Sequence, residues 1–214
     1  MRVKPVRVLY CENNTDGTVG GSYYSLLYLV KGLDRSKYEP IVVFYTEHAL
    51  LPAFRDAHIE TVIWPKPAAY TFGARMSRTM GPVRAIALVV QKILNFWRNF
   101  LVAAMVRAWY LVRRRVRIVH LNNSVLYNHD WMLAARLTGR VCVTHERGIN
   151  DHFPRFARYF GRRLDAVICI SEAVRENMRR RGADFDNLIT IFNGLDPSTM
   201  KTTMPPDEIC RIVA

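Results

Sequence analysis

The sequence predicts an α/β protein: a doubly wound, mostly parallel, Rossmann-like sheet with one long amphipathic basic helix among its crossovers. Three observations carry this expectation. Short runs rich in Val, Ile and Leu alternate with segments of helical periodicity. The runs are continuously apolar, as strands covered on both faces are. Strand–helix alternation of this kind implies parallel pairing with helices on both faces and right-handed crossovers.

Residues 6–11 form the first run, and a helical pattern follows from Gly21 to about Leu33. A strand is expected at 40–45, a short helix at 50–57 and a strand at 61–64. Residues 65–82 read as a loop rich in Pro, Gly and Ala, and a long helical segment covers about 83–114. Strands at 117–121 and 140–144 flank a helix at 131–137. A helix at 153–163 precedes a strand at 166–170. Ser171 then opens a helix over 172–181, and a last strand occupies 188–192. Ligands of doubly wound sheets bind beyond the carboxyl ends of the strands. That rule selects the loops 12–21, 122–124, 145–148, 171–172 and 193–196.

The chain has 214 residues, half of them apolar, which supports a packed core and argues against wholesale disorder. Its formal net charge of +13 points to nucleic acid, an anionic membrane surface or phosphorylated substrates, or to a solvated basic face. No helix-turn-helix, RRM or OB pattern accompanies the charge, so no nucleic-acid partner is expected. The cysteines, Cys11, Cys142, Cys169 and Cys210, show no C-x-x-C pair and no zinc spacing, so no metal site is expected. Three of them lie in strand-like runs and read as small buried hydrophobes in a reducing compartment. The N-terminal apolar run is too short for a signal peptide.

Gly20 and Gly21 stand where the first strand passes into the first helix. Glycine removes the Cβ that would keep a ligand from the backbone, and the helix N-terminus offers free N–H groups to a phosphate. The pair reads either as a diphosphate cradle, with Ser22 beside it, or as a tight turn with no ligand. It is not the G-x-G-x-x-G dinucleotide fingerprint, which disfavours an NAD-dependent oxidoreductase.

Together with GTVGGSYYSLLYLVKGL, the stretches 141-VCVTHERG-148, 166-AVICISEAVRENMRRRG-182 and 188-LITIFNGLDP-197 resemble, in order and spacing, the N-terminal half of GT-B glycosyltransferases of the GT4 type. The resemblance covers most of residues 6–197. It implies transfer of a sugar from a nucleotide-sugar donor to an acceptor hydroxyl, with no metal or other cofactor. It makes residues 1–197 the acceptor-side domain, with the 65–116 loop and helix as an excursion from it. Residues 198–214 are then a hinge leading into a C-terminal donor domain with an E-x7-E motif, which this sequence does not contain. The isolated fragment is accordingly expected to be inactive.

The resemblance places His145 beside the acceptor hydroxyl and the donor sugar, where an imidazole orients a hydroxyl or stabilises developing charge. Arg147 is a candidate to hold an acceptor phosphate bidentately, and Glu146 lies in the same stretch; the two alternatively pair on the surface. Asn122 and Asn123 end a strand on the ligand side, and either bond sugar hydroxyls or form an Asx turn. Ser171 reads first as a helix N-cap, with a ligand role as the alternative. Asn193 and Gly194 are expected to shape the hinge.

Wound at about 100° per residue, the long helix places Arg84, Gln91, Lys92, Asn95, Arg98 and Arg107 on one half and Ile86, Val90, Ile93, Leu94, Trp97, Ala104, Ala108 and Leu111 on the other. No acidic residue falls between Gly81 and Asn128. Either the apolar half packs on the sheet, or the helix lies in an anionic bilayer interface. In the second case Arg84, Lys92, Arg98 and Arg107 meet lipid headgroups, and Trp97, Trp109 and Tyr110 serve as anchors. The interfacial reading is preferred; it implies a cytoplasmic protein peripheral on the membrane and a lipid-linked or envelope-polysaccharide acceptor. A competing expectation is a non-catalytic acceptor-binding subunit that recruits a separate donor-binding partner.

Overall fold

The structure is a computed structural model, and it describes residues 4–194. Cys210 and the expected hinge segment 198–214 lie outside the described residues. Among the described residues seven strands form one sheet: β1 (Val6–Cys11), β2 (Tyr38–Phe44), β3 (Glu60–Ile63), β4 (Val116–Leu121), β5 (Val141–Glu146), β6 (Ala166–Cys169) and β7 (Leu188–Thr190). Their spatial order is β3-β2-β1-β4-β5-β6-β7, with every neighbouring pair parallel. The expected doubly wound sheet is present. The strand order reverses between β1 and β4, so the crevice of such a sheet opens at their carboxyl ends.

Period-two alternation divides the core between the two faces of the sheet. Val8 and Tyr10 pack with Tyr23, Leu26 and Val30 of α1 (Gly21–Lys31) and with Phe54 of α2 (Leu51–Asp56). On the other face Leu9 and Cys11 share a cluster with Leu111 of α5 (Ala103–Arg113) and with Trp131 and Met132 of α6 (His129–Leu137). Two further helices, α7 (Arg155–Gly161) and α8 (Glu172–Arg180), complete this layer. Cys11, Cys142 and Cys169 are free and buried. Burial pushes the Cys11 thiol up to about 12 and Cys169 to about 11, so they stay protonated and act as packing groups.

Strand ends account for most differences from expectation. β2 starts two residues before Pro40; β3 pairs only from Ile41 onward, so Pro40 sits where β2 has a neighbour on one side. β5 runs on through His145 and Glu146, which belong to the strand and not to the loop after it.

The largest difference is the long helix. It comprises α4 (Gly81–Phe96), a π-helical turn at Trp97–Val102, and α5. The expected loop before it contains α3 (Phe72–Arg75) and a 3-10 turn at Arg78–Met80. α3 packs on α4 so closely that a Cβ on Gly73 would lie 2.8 Å from the Ala87 and Leu88 backbone. The polar half of α4 therefore does not simply face water. Gln91 Oε1 accepts from the Gly73 and Ala74 amides, Asn95 bonds both the amide and the carbonyl of Tyr70, and Arg98 lies 4.9 Å from the Tyr70 ring centroid.

Arg107 corrects the interfacial assignment at that position. It is only 3% exposed, its guanidinium is 3.1 Å from Asp130, and it stacks between Trp64 and Trp131. Ala103, Ala104, Arg107, Ala108 and Leu111 form one i, i+3, i+4 stripe against the sheet, and Arg107 falls in its middle. A π turn winds fewer degrees per residue than an α-helix, so a uniform wheel cannot be carried across 97–102. Tyr110, expected as an interfacial anchor, is instead half-buried with its ring 5.1 Å from Trp64. The apolar half divides likewise: Ala104, Ala108 and Leu111 are buried against the sheet, whereas Ile86, Val90, Ile93, Leu94 and Trp97 are exposed.

Candidate functional site

The carboxyl ends of β1, β4 and β5 converge on Glu12, a residue the sequence reading passed over except as a loop boundary. Glu12 is 1% exposed, and its carboxylate accepts from Asn122 Nδ2 at 2.6 Å, from Asn123 Nδ2 and from the Asn13 amide at 3.1 Å. Asn122 Nδ2 also donates to the Ser22 carbonyl at 3.0 Å, and Asn123 Oδ1 accepts from the Asn13 amide at 2.7 Å. The two asparagines thus tie the β1 and β4 loops together. The Asx-turn reading does not describe these bonds. A buried carboxylate surrounded by donors was accessible to sequence reasoning only as one acidic residue at a strand end.

Arg147 builds on this hub. Its amide bonds the Asn123 carbonyl at 3.2 Å, and its guanidinium donates to the Asn122 carbonyl at 2.6 Å and to Asn122 Oδ1 at 2.7 Å. A third bond, to Asn193 Oδ1 at 3.0 Å, connects it to the segment after β7. Burial pulls its pKa down and Glu12 pulls it up. A guanidinium with an intrinsic pKa above 12 stays charged through such opposing influences.

The surface pair between Glu146 and Arg147 does not form. Glu146 is fully buried and accepts from the Ser124 hydroxyl at 2.8 Å, the Val125 amide at 3.2 Å and Asn150 Nδ2 at 2.8 Å. Burial outweighs these bonds and raises its pKa to about 7. Asn150 in turn bonds Asn177 of α8 through its amide, so Glu146 anchors the loop after β5. Ser171 serves as the N-cap of α8, its hydroxyl accepting from the Val174 amide at 3.2 Å.

His145 faces a second histidine that sequence spacing did not reveal. His120 Nε2 on β4 lies 2.8 Å from His145 Nδ1 on β5, and both rings are buried. Burial lowers both pKa values far below the ordinary histidine value, and the charge of Arg147 adds to this. Both rings are therefore neutral at pH 7, and one donates to the other. His145 retains Nε2 as a donor if His120 donates, and as an acceptor if His145 donates.

A cavity of about 500 Å³ opens above this pair, lined by His145, Arg147, Asn193 and Gly194 together with Tyr28 and Lys31 of α1. At the other end of α1, Gly20 caps the helix with extended backbone (φ −116°) and without a side-chain hydrogen bond. A Cβ at Gly20 or Gly21 would meet nothing within 4 Å. Internal packing therefore does not require either glycine; the space they leave is open to solvent. Among the described residues no cluster of three or more His, Cys, Asp or Glu is placed to hold a metal ion.

A parallel sheet with this strand order, an open cleft beside the carboxyl end of β5 and a glycine-opened first helix defines a Rossmann-like domain of the kind found in the N-terminal half of GT-B enzymes. The sequence matches Glycosyltransferase Family 4 over residues 19–199, and the chain belongs to that family. No curated protein sequence matches it. Among solved structures, Anabaena Alr3699/HepE in complex with UDP and glucose is similar at a TM-score of 0.59 and 20% identity, over 96% of this chain and 48% of that one. A glycosyltransferase from Rickettsia africae is similar at a TM-score of 0.59 and 17% identity, over 98% and 49%. The lipopolysaccharide outer core galactosyltransferase WaaB follows at 0.53 and 12%, over 91% and 47%. The chain spans about half the length of these structures.

Proposed function

We propose that this domain supplies the acceptor side of a sugar transfer from a nucleotide-sugar donor to an acceptor hydroxyl, completed by a donor-binding domain in cis or in trans. The observation that carries the reading is the neutral His145 imidazole, braced by His120 and set beside Arg147 in an open cavity between the end of β5 and α1. There His145 bonds the reacting hydroxyl, and Arg147 sets positive charge beside it. The proposal assigns no metal or cofactor. HepE is described with UDP-glucose, which supports a nucleotide sugar as the donor class.

A specific observation keeps the second reading, a docking subunit for a separate partner, in view. Ile189, Ile191 and Phe192 are exposed at the sheet edge, Phe192 by 71%. They offer an apolar surface to a domain from either source.

We further propose that the protein sits peripherally on the cytoplasmic face of an anionic membrane through α4, and that its acceptor is lipid-linked or an envelope polysaccharide. α4 contains no buried residue, and Arg78–Arg113 is apolar and long enough by composition to cross a bilayer. Gln91 bonds α3 and Asn95 bonds Tyr70 just before it, which leaves Ile86, Val89, Ile93 and Trp97 outward. Lys92, Arg98 and Trp109 remain exposed beside them.

The test is transfer by the full reading frame that contains these residues, with UDP-glucose and a panel of lipid-linked acceptors. His145→Ala should lower kcat by about 10²-fold, the scale of a single proton-transfer or charge-stabilising group. Wild-type turnover by both His145→Ala and Arg147→Ala would overturn the catalytic reading.

A further inference from the structure

A second cavity of about 500 Å³ lies across the β1 loop from the His145 cleft, at the carboxyl ends of β2 and β3. Thr15, Tyr45, Thr46, Glu47, Ile63 and Lys66 line it. Lys66 is the only cation among these residues. Its ammonium donates to Asn13 Oδ1 at 2.7 Å and lies 4.0 Å from the Tyr45 ring centroid. No carboxylate pairs with it among the described residues.

The platform under Lys66 is rigid. Tyr45 is 3% exposed, its hydroxyl donates to Asn128 Oδ1 at 2.8 Å, and it accepts from Trp131 Nε1 at 3.1 Å. Asn13 belongs to the Glu12 hub through its amide. An ammonium has three N–H donors, and the Asn13 bond occupies one. A lysine fixed between an amide oxygen and an aromatic face, with donors left over, has lost much of the side-chain entropy that anion binding would otherwise cost.

We propose that the Lys66 cavity binds the phosphate or pyrophosphate group of the acceptor, with Thr15, Thr46 and Glu47 meeting its hydroxyl groups. Lys66 is exposed by accessible surface, but the groups crowded around its ammonium still desolvate it enough to pull it below the ordinary lysine pKa, and a bound anion would reverse that shift. Four residues beyond Lys66 the chain reaches Tyr70, which Asn95 fixes to α4, so the cavity sits at the root of that helix. A lipid-borne phosphate would lie at this level if α4 rests in the membrane. The choice of a lipid source rests on the membrane reading above; the anion site itself does not.

Inorganic pyrophosphate titrated into the 15N-labelled chain tests the site. Saturable shifts are expected at Thr15, Thr46 and the Asn13 side-chain amide. Lys66→Gln should weaken binding about tenfold or more, as expected for losing a charge-assisted bond. Lys66→Arg should retain it, and Lys37→Gln, on a remote loop, should not change it. Asn13→Ala, which releases Lys66 without removing its charge, should weaken binding less than Lys66→Gln. Unchanged affinity in Lys66→Gln, or shifts confined to the basic cluster of Lys4, Arg7, Arg113 and Arg115 at the amino ends of the strands, would overturn the proposal. Vesicles of neutral lipid with and without phosphatidic acid separate the sources. Loss of binding by Lys66→Gln only where phosphatidic acid is present assigns a lipid headgroup. Equal vesicle binding by both proteins, with pyrophosphate still discriminated, assigns a soluble phosphate. If pyrophosphate binds through Lys66 while the wild type ignores all vesicles, the membrane reading fails and the anion site stands.

Discussion

His120, His145 and Glu146 give the residue scale its measurable consequences, because all three are buried and shifted, with opposite signs. The histidine pair is held neutral, so the unfolded chain binds protons below pH 6.5 that the native chain does not. Stability from the pair is present above pH 6.5 and is lost as pH falls below it. Histidine 15N shifts that stay at neutral-ring values at pH 5.5 would bear this out; imidazolium shifts there would refute it. Glu146 works the other way. Its pKa rises on folding from 4.5 to about 7, so its unfavourable contribution is absent below pH 4.5 and grows as pH climbs to 7, to about 3 kcal/mol. Glu146→Gln should therefore stabilise the protein at pH 8 relative to pH 5, compared with wild type in urea melts. These shifts were not legible in the sequence. His145 could be singled out from the motif it sits in, but its partner is 25 residues away and meets it only because β4 and β5 are neighbours.

Elements show what winding a helix on paper can and cannot tell. The amphipathic character of 83–114 was legible, since side-chain period is a local property. Which half meets what was not, because the π turn resets the phase and α3 covers the polar side of α4. The Arg107–Asp130 bond, α5 to α6, is the element-scale test of this correction. Arg107→Met leaves Asp130 only 12% exposed and unpaired, and should cost about 3–5 kcal/mol; adding Asp130→Leu should recover much of it. Additive losses in the double variant would mean that the pair is not coupled. On α4 the expectation is reversed. Ile86→Asp or Ile93→Asp should leave the melt within about 0.5 kcal/mol of wild type, as exposed positions do. Each should lower partition onto anionic liposomes about tenfold or more, the equivalent of losing one buried aliphatic side chain. Flotation that is unchanged, or absent in wild type at low salt, would sink the membrane role of the helix.

At the scale of the whole molecule, the net charge of +13 sets two salt responses of opposite direction. Self-repulsion in the compact state weakens as salt shortens screening from about 30 Å at 0.01 M to about 8 Å at 0.15 M, so the melting temperature should rise by a few degrees. Attraction to an anionic vesicle should fall over the same range. A melting temperature that drops with salt would show that the ion pairs, and not the net charge, dominate. By itself the sequence determined the strand–helix alternation, the parallel doubly wound class, the glycine-opened first helix and the strand-end position of His145. Each follows from hydrophobic period, turn chemistry or neighbours within one element. Only the tertiary structure decided the rest: Glu12 under two asparagines 110 and 111 residues away, Arg107 inside the core, and Lys66 over Tyr45. These contacts exist because the order β3-β2-β1-β4-β5-β6-β7 sets the carboxyl ends of distant strands side by side and packs the helices that connect them against one another, and no local pattern encodes which will meet.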